Sequence, residues 1–99
     1  MTINVERDFE LVVLEITGRL DTTTAPNLDA VINELSEDIK ELVFNMAELE
    51  YISSAGIRVI LSAYKKMNQS GGIMRIEKAN EIVREVFEMT GLSEMLDWE

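Results

Sequence analysis

The amino-acid sequence predicts an α/β layer fold in a single domain spanning residues 1–99. After two apolar runs at the start of the chain, segments with helical spacing alternate with short apolar runs in the order helix, strand, helix, strand, helix. That order is typical of parallel strand pairs joined by right-handed crossovers. The length of 99 residues and a hydrophobic fraction of 46% allow one core and leave no room for a second domain.

The start of the chain predicts an antiparallel hairpin. Ile3 and Val5 alternate with polar residues, and residues 10–17 are rich in β-branched and apolar side chains. Residues 7–9 form the expected turn between these two strands. The polar residues 18–24 then predict a loop that leads to the first helix.

Two further strands are expected at residues 42–46 and 73–76. The first shows little alternation of apolar and polar residues, which is typical of a strand that is covered on both faces. Residues 47–53 predict a loop in which Leu49 and Tyr51 are tucked against the body of the domain.

Three helices are expected, each with a polar residue at its first position that can cap it. They cover, in chain order, residues 24–36, 54–70 and 80–89. Pro26 fits the first turn of the first helix, and Gly91 fits a left-handed residue after the third. The last residues predict a short helix or turn that docks on the body through three apolar side chains: Leu92, Met95 and Leu96.

The composition excludes several kinds of chemistry. The chain has no Cys and no His, which excludes thiol nucleophiles, Cys/His zinc sites and Ser–His relays. No catalytic residue, cofactor or metal site is expected. No apolar run approaches the roughly 18 residues that a membrane helix needs, and the first residues do not resemble a leader, so a cytoplasmic protein is expected.

The charge balance points to protein partners. The 19 acidic and 9 basic residues give a net charge of −10, which repels nucleic acid and anionic membrane surfaces. A basic protein surface would be attracted. We therefore expect no direct nucleic-acid or membrane partner.

The stretch around Ser53 and Ser54 is the candidate functional site. In parallel sheets, sites gather where strands end and helices begin, which places Asp21 and Thr22–Thr24 near the two serines. Ser54 has two interpretations. It is the N-cap of the second helix, or it is also a phosphate acceptor, because Ala55 and the next residue are small and a helix N-terminus tolerates a dianion.

Two other interpretations concern neighbouring residues. Asp21 either closes its own turn or acts as a carboxylate beside the serine. A serine hydrolase is disfavoured, because the chain lacks a Gly-x-Ser-x-Gly turn and because Lys65 and Lys66 lie about three helical turns from Ser54.

Four segments resemble the STAS domain of bacterial anti-sigma factor antagonists. They are residues 18–26 (GRLDTTTAP), 42–46 (LVFNM), 49–61 (LEYISSAGIRVIL) and 83–92 (VREVFEMTGL). The resemblance implies a small mixed β-sheet in a β-α superhelical arrangement with about four helices. It also implies partner switching. The unphosphorylated protein binds a serine-kinase-type anti-sigma factor and frees a sigma factor for transcription. Phosphorylation then ends the complex, and a phosphatase resets the cycle.

The resemblance maps the phosphorylated serine onto Ser54, with Ser53 as a secondary candidate. A monomer or weak dimer is expected. The expected partner-binding residues surround the two serines: Asp21, Thr22, Thr23, Thr24, Tyr51, Ile52, Ser53, Ala55, Gly56 and Arg58.

Two positions depart from the family pattern. Many members have Asp where this chain has Asn45, and many have Asp immediately before the serine pair, where this chain has Ile52. If those carboxylates orient the serine or the kinase's nucleotide, then Asp21 takes a larger part here, or phosphorylation is slower.

Two alternatives to partner switching remain open at this point. The chain fits a STAS scaffold subunit of a transport or lipid-trafficking complex that is never phosphorylated. It also fits a module that senses a nucleotide at the helix start.

Overall fold

The computed structural model describes residues 1–35, 38–94 and 97–98. Within these residues the chain forms six strands and three α-helices, and a 3₁₀ turn at Leu92–Glu94 precedes the last strand. The bounds are β1 Thr2–Asp8, β2 Leu11–Leu20, α1 Ala25–Glu34, β3 Glu41–Asn45, β4 Leu49–Ile52, α2 Ser54–Gln69, β5 Ile73–Glu77, α3 Glu81–Thr90 and β6 Asp97–Trp98.

The expected hairpin is confirmed. β1 and β2 pair in antiparallel register from Thr2 opposite Thr17 to Asp8 opposite Leu11. The expected turn at residues 7–9 is corrected, because Arg7 and Asp8 belong to β1 and the turn consists of Phe9 and Glu10. Phe9 has a φ of 55°. The ring of Phe9 is exposed and does not belong to the core.

β2 is longer than the sequence predicts, so the expected loop at residues 18–24 is corrected. Residues 18–20 continue the strand, and only residues 21–24 form the loop. The partner of β2 is β3 as far as Glu15 and β4 from Gly18 onwards. Gly18 has a φ of 98°, and the register with β4 shifts between Gly18 and Arg19. Glycine adopts this φ without strain, so the strand bends and goes on instead of ending.

One edge of β2 is shared by two parallel neighbours. Its first half pairs with β3, from Leu11 opposite Glu41, and its last residues pair with β4, ending with Leu20 opposite Ile52. The sheet order is β1-β2-β3-β5-β6, with β4 paired only to β2. The pairs β2–β3, β2–β4, β3–β5 and β5–β6 are all parallel. The expected α/β layer fold with parallel pairs is therefore confirmed.

The prediction of a loop over residues 47–53 is wrong, because β4 lies within it. Leu49 and Ile52 are buried, whereas Glu50 is exposed. β4 satisfies its backbone groups by pairing with the distal end of β2, which the sequence of β4 alone does not reveal.

The core lies between the sheet and the helices. β3 is buried along its centre at Leu42, Val43 and Phe44, as its apolar run predicts. Each helix contributes an apolar stripe. Its buried members are Ala25, Leu28 and Ile32 of α1, Ile57, Val59, Ile60, Ala63 and Met67 of α2, and Val83 and Phe87 of α3. In the part of the chain that the structure describes, no helix is long and apolar enough to cross a membrane.

The observed helix ends agree in part with those predicted from the sequence. Asn80 caps α3 as expected, its Oδ1 accepting from the N–H of Val83 at 2.8 Å, and Gly91 ends α3 at φ 79°. α1 ends at Glu34. The final segment agrees in part: Leu92–Glu94 form a 3₁₀ turn and Leu92 is buried, as expected, whereas Asp97–Trp98 form β6 beside β5. Ser36, Met95 and Leu96, named in those predictions, lie outside the described residues.

Candidate functional site

β2 and β4 end side by side and bring two loops together. The N–H of Ser53 donates to the carbonyl oxygen of Leu20 at 2.9 Å, which continues the parallel pairing to the last residue of β2. The turn that starts at Asp21 and the helix that starts at Ser54 therefore leave the sheet from the same point. The expectation that the threonine loop lies beside the serine pair is confirmed.

The two serines have different structural roles, and the predicted cap is corrected. Ser53 is the N-cap of α2: its backbone is extended, with φ −98° and ψ 175°, and its Oγ accepts from the N–H of Gly56 at 3.4 Å. Ser54 was expected to be the cap, but it is the first helical residue. The role passes to Ser53 because only a residue with extended backbone directs its oxygen at the free N–H groups of the first turn.

Ser54 is exposed, and its side chain does not cap the helix. Within the described residues, its hydroxyl makes no hydrogen bond. The next residue, Ala55, is small and half-buried, so the hydroxyl is approachable from solvent.

Asp21 closes its own turn. Its Oδ1 accepts from the hydroxyl of Thr23 at 2.7 Å, from the N–H of Thr23 at 3.0 Å and from the N–H of Thr24 at 3.3 Å. These bonds, with the Thr23 hydroxyl first, hold the pKa of the carboxyl below its ordinary value of 3.8, against a smaller opposing effect of desolvation. The structural interpretation of Asp21 is therefore confirmed. In the described structure, Asp21 makes no hydrogen bond to either serine.

Thr24 reinforces the same turn. Its hydroxyl donates to the carbonyl oxygen of Arg19 at 2.9 Å and accepts from the N–H of Asp21, also at 2.9 Å. Thr24 occupies the N-cap position of α1, as expected, but its side chain makes no capping bond. Thr22 and Thr23 are exposed at the tip of the loop.

Arg19 is a site residue that sequence reasoning missed. Its guanidinium lies over the ring of Tyr51, 4.4 Å from the ring centre, and its Nε lies 3.9 Å from Oδ2 of Asp21. Arg19 and Tyr51 are paired across β2 and β4. Because β4 was expected to be a loop, nothing in the sequence placed these two side chains together.

Two of the expected partner-binding residues lie beneath the surface. The side chain of Ile52 is 1% exposed, so the expectation that it contacts a partner is corrected. Gly56 is also buried, and a Cβ there would lie 2.7 Å from Cγ of Leu20 and 2.8 Å from Cγ1 of Ile52. The helix can sit this close to the strand ends only because residue 56 has no side chain. Asn45 has a local role as well, since its Oδ1 accepts from the N–H of Ala47 at 3.0 Å.

A shallow hollow separates the first turns of α1 and α2. Its volume is about 350 Å³. Its lining joins the threonine loop to the outer face of α2 through Thr22, Ala25, Pro26, Asp29, Ala55, Arg58, Val59 and Ser62. Arg58 is exposed and brings a positive charge to this hollow. Across the described residues, no three potential metal ligands converge.

The sequence matches a family model and named relatives over nearly its whole length. The model of the STAS domain matches residues 2–98. The anti-sigma-B factor antagonist of Bacillus subtilis (strain 168) is 25% identical over 97 residues, which make up 98% of this chain and 89% of that protein. The anti-sigma F factor antagonist of Paenibacillus polymyxa is 29% identical over 101 residues, covering 97% of this chain and 84% of that protein.

A solved structure agrees in fold. The Bacillus cell fate determinant SpoIIAA in its phosphorylated form is similar to this chain with a TM-score of 0.79 and 20% identity, covering 99% of this chain and 91% of that one. The family model leaves out only the first and last residues of the sequence. The chain therefore belongs to the STAS domain family.

Proposed function

We propose that this protein is an anti-sigma factor antagonist that acts by partner switching. In its unphosphorylated form it binds a serine-kinase-type anti-sigma factor and so permits sigma-factor-dependent transcription. Phosphorylation of Ser54 ends that complex, and a phosphatase restores the binding form. The names of the relatives support the general role, since both are antagonists of anti-sigma factors. Proteins of that kind are regulatory binding proteins and not enzymes.

The different structural roles of Ser53 and Ser54 are the observation that supports the proposal. Ser53 caps α2, which leaves the hydroxyl of Ser54 exposed and unbonded in the described structure. A phosphate on Ser54 therefore removes no bond that holds the domain together. It adds about −1.5 to −2 charges at the start of a helix, where the helix dipole tolerates an anion. The domain stays folded while its surface changes.

The proposed partner surface consists of the expected residues that solvent can reach: Asp21, Thr22, Thr23, Thr24, Tyr51, Ser53, Ser54, Ala55 and Arg58. We call it the switch surface. Ile52 and Gly56 support it from below. The burial of Ile52 also shows why an apolar residue is stable there, because the side chain belongs to the core.

The charge of the chain favours a basic docking partner. A net charge of −10 accelerates the approach of a positively charged surface. A phosphate on Ser54 would then act locally, because repulsion between charges falls off within about 10 Å at 0.1 M salt. The switch therefore depends on groups that touch or adjoin Ser54.

Incubation with the cognate kinase and ATP, followed by mapping of phosphate by mass spectrometry, tests the proposal. We expect one phosphate on Ser54 and none on Ser54→Ala. Ser62→Ala is the matched control, because Ser62 is an exposed serine two turns further along the same helix. Ser53→Ala should keep the phosphate and lose about 1 kcal/mol of helix capping. Absence of phosphate from Ser54, or unchanged kinase binding by Ser54→Asp, would count against partner switching.

The two alternatives give different results in simple measurements. A scaffold subunit would bind its partner equally well before and after Ser54→Ala. A nucleotide-sensing module would melt at a higher temperature in GTP or ATP, because a ligand that binds the folded state stabilises it. A kinase gene and a sigma-factor gene beside this one would favour partner switching, and transporter genes would favour the scaffold.

A further inference from the structure

We infer that Arg58 is the internal receptor for the phosphate on Ser54. The inference rests on the proposed function and adds a second component to the switch. Ser54 and Arg58 are four residues apart on α2, and both are exposed. Residues at this spacing lie one turn apart on the same face of a helix, with about 5–6 Å between their Cβ atoms. An anion that precedes the cation by four residues is also the favourable orientation of such a pair.

Arg58 is available for this contact. In the described part of the chain, its guanidinium forms no ion pair and no hydrogen bond. Asp29 lines the same hollow but does not pair with it. Arg58 is therefore a solvent-exposed cation, one helical turn from Ser54, that is free to bind an anion.

The other cations near α2 are already occupied or too distant. Arg19 lies over Tyr51 at 4.4 Å and faces Asp21 at 3.9 Å. Lys66 donates to the carbonyl oxygens of Ile32 and Leu35 at the end of α1. Lys65 is eleven residues beyond Ser54, about 16 Å along the helix axis. Arg58 is thus the best placed of these four cations.

The chemistry of the two groups fits. A guanidinium presents parallel N–H donors that match two oxygens of a phosphate. The ionised carboxyl of Asp21, in the adjoining loop, repels a phosphate instead of binding it. Arg58 is therefore the group of the two that attracts the phosphate.

This contact gives phosphorylation two effects on the switch surface. It adds negative charge at Ser54, and it withdraws the cation that Arg58 otherwise offers at the hollow between α1 and α2. A partner that uses an acidic group to bind Arg58 would lose that contact when the phosphate takes its place.

Direct measurement of the phosphate tests the inference. Phosphoserine is incorporated at position 54 during translation, so that no kinase is needed, and its second pKa is measured by ³¹P NMR. A free phosphoserine has a second pKa near 6, and a neighbouring cation lowers it. We expect a value below about 6 in the wild type and a rise of about 0.3 unit in Arg58→Gln. Arg58→Lys should give an intermediate value, because it keeps the charge and loses the paired donors.

Two controls make the result specific. Lys65→Gln removes the same charge from the same helix, three turns away, and should leave the phosphate pKa unchanged. Arg19→Gln tests the other nearby guanidinium. Equal pKa values in the wild type and Arg58→Gln would overturn the inference, as would a larger rise in Arg19→Gln. The proposed function is judged separately: a kinase that never modifies Ser54 overturns partner switching, while the NMR titration still decides the role of Arg58.

Discussion

At the scale of single residues, Asp21 combines a structural role with a charge. Its carboxylate accepts hydrogen bonds from Thr23 and Thr24, which lower its pKa from an ordinary value of 3.8, so it is ionised at neutral pH. The turn thereby keeps a fixed negative charge at the edge of the switch surface.

Stability should depend on the charge of Asp21 in acid. A group whose pKa is lower in the folded domain than in the unfolded chain stabilises the fold fully above its unfolded pKa. That contribution is lost as the pH falls through the lower folded pKa. We expect Asp21→Asn to be less stable than the wild type at pH 7, with the difference closing below pH 3.8, the ordinary value of this group. Urea unfolding of both proteins at pH 7 and pH 2.5 measures it.

Asp8→Asn is the matched control for this effect. Asp8 is an exposed aspartate whose side chain makes no hydrogen bond in the described structure. Its substitution removes the same charge without touching the turn. A difference between Asp21→Asn and the wild type that stays constant down to pH 2.5 would contradict the lowered pKa.

Gly56 should not accept a side chain. A Cβ at this position would lie 2.7 Å from Cγ of Leu20 and 2.8 Å from Cγ1 of Ile52, which forces the start of α2 away from β2 and β4. We expect Gly56→Ala to lose about 1–2 kcal/mol in the free energy of unfolding, because overpacking outweighs the gain in helix propensity. Urea unfolding measures this loss. Ser62→Ala, on the exposed side of the same helix, should change stability by less than about 0.5 kcal/mol.

The choice between Ser53 and Ser54 shows what the sequence can and cannot predict at this scale. The residue pattern predicted that a serine caps this helix, and it assigned the cap to Ser54 instead of Ser53. The two side chains are identical, so the sequence pattern could not assign the roles. The extended backbone of Ser53, fixed by the bond from its N–H to Leu20, decides the assignment.

At the scale of the elements, α2 supports the end of α1. The Nζ of Lys66 donates to the carbonyl oxygens of Ile32 at 2.9 Å and Leu35 at 3.3 Å. α1 has no basic residue in its last turn, so this lysine supplies the positive charge that the C-terminal end of a helix favours. The contact from Lys66 of α2 thus takes the place of a basic residue in the last turn of α1.

Loss of the contact between Lys66 and α1 should lower the stability of the domain measurably. We expect Lys66→Met to lose about 1 kcal/mol in the free energy of unfolding, because two carbonyl oxygens lose a charged donor in a half-exposed setting. Lys65→Met removes the same charge from the neighbouring exposed position and should be close to neutral. Thermal unfolding of both variants distinguishes the two positions. Equal losses would show that net charge, and not the contact with α1, is responsible.

The elements that the sequence predicted correctly are those with a repeated pattern or a clear apolar run. α2 shows its apolar stripe over sixteen residues, and β2 and β3 contain runs of apolar and β-branched residues. β4 has four residues and β6 has two, which is too short for a period to be recognised. The extension of β2 beyond Gly18 was missed for a related reason. Glycine and arginine favour a loop locally, and pairing with β4 overrides that preference.

At the scale of the whole molecule, the topology was predictable because few arrangements satisfy the order of the elements. Helices between successive strands require parallel pairing, and right-handed crossovers put the helices over the sheet. The order of the elements did not predict that β3 and β4 share an edge of β2. That sharing brings the ends of β2 and β4 together, and so it positions the switch surface.

The acidic charge of the whole molecule should make its stability depend on salt. The 19 acidic residues exceed the 9 basic residues, so at least ten carboxylates have no cationic partner of their own. The Debye length is about 30 Å in 10 mM salt, comparable to the longest dimension of the domain, 32 Å. It falls to about 8 Å at 150 mM, where only neighbouring charges repel one another.

We therefore expect added NaCl to raise the melting temperature at pH 7. Repulsion is stronger in the compact state than in the extended unfolded chain, so screening favours folding. A gain of the order of 1 kcal/mol between 10 and 150 mM would raise the melting temperature by roughly 4–8 °C in a domain of this size. Neutralising three exposed glutamates at positions 34, 48 and 50 by substitution with Gln should make the gain smaller. A melting temperature that falls with NaCl would show instead that ion pairs such as Arg75 with Glu41 and Glu77 outweigh the repulsion.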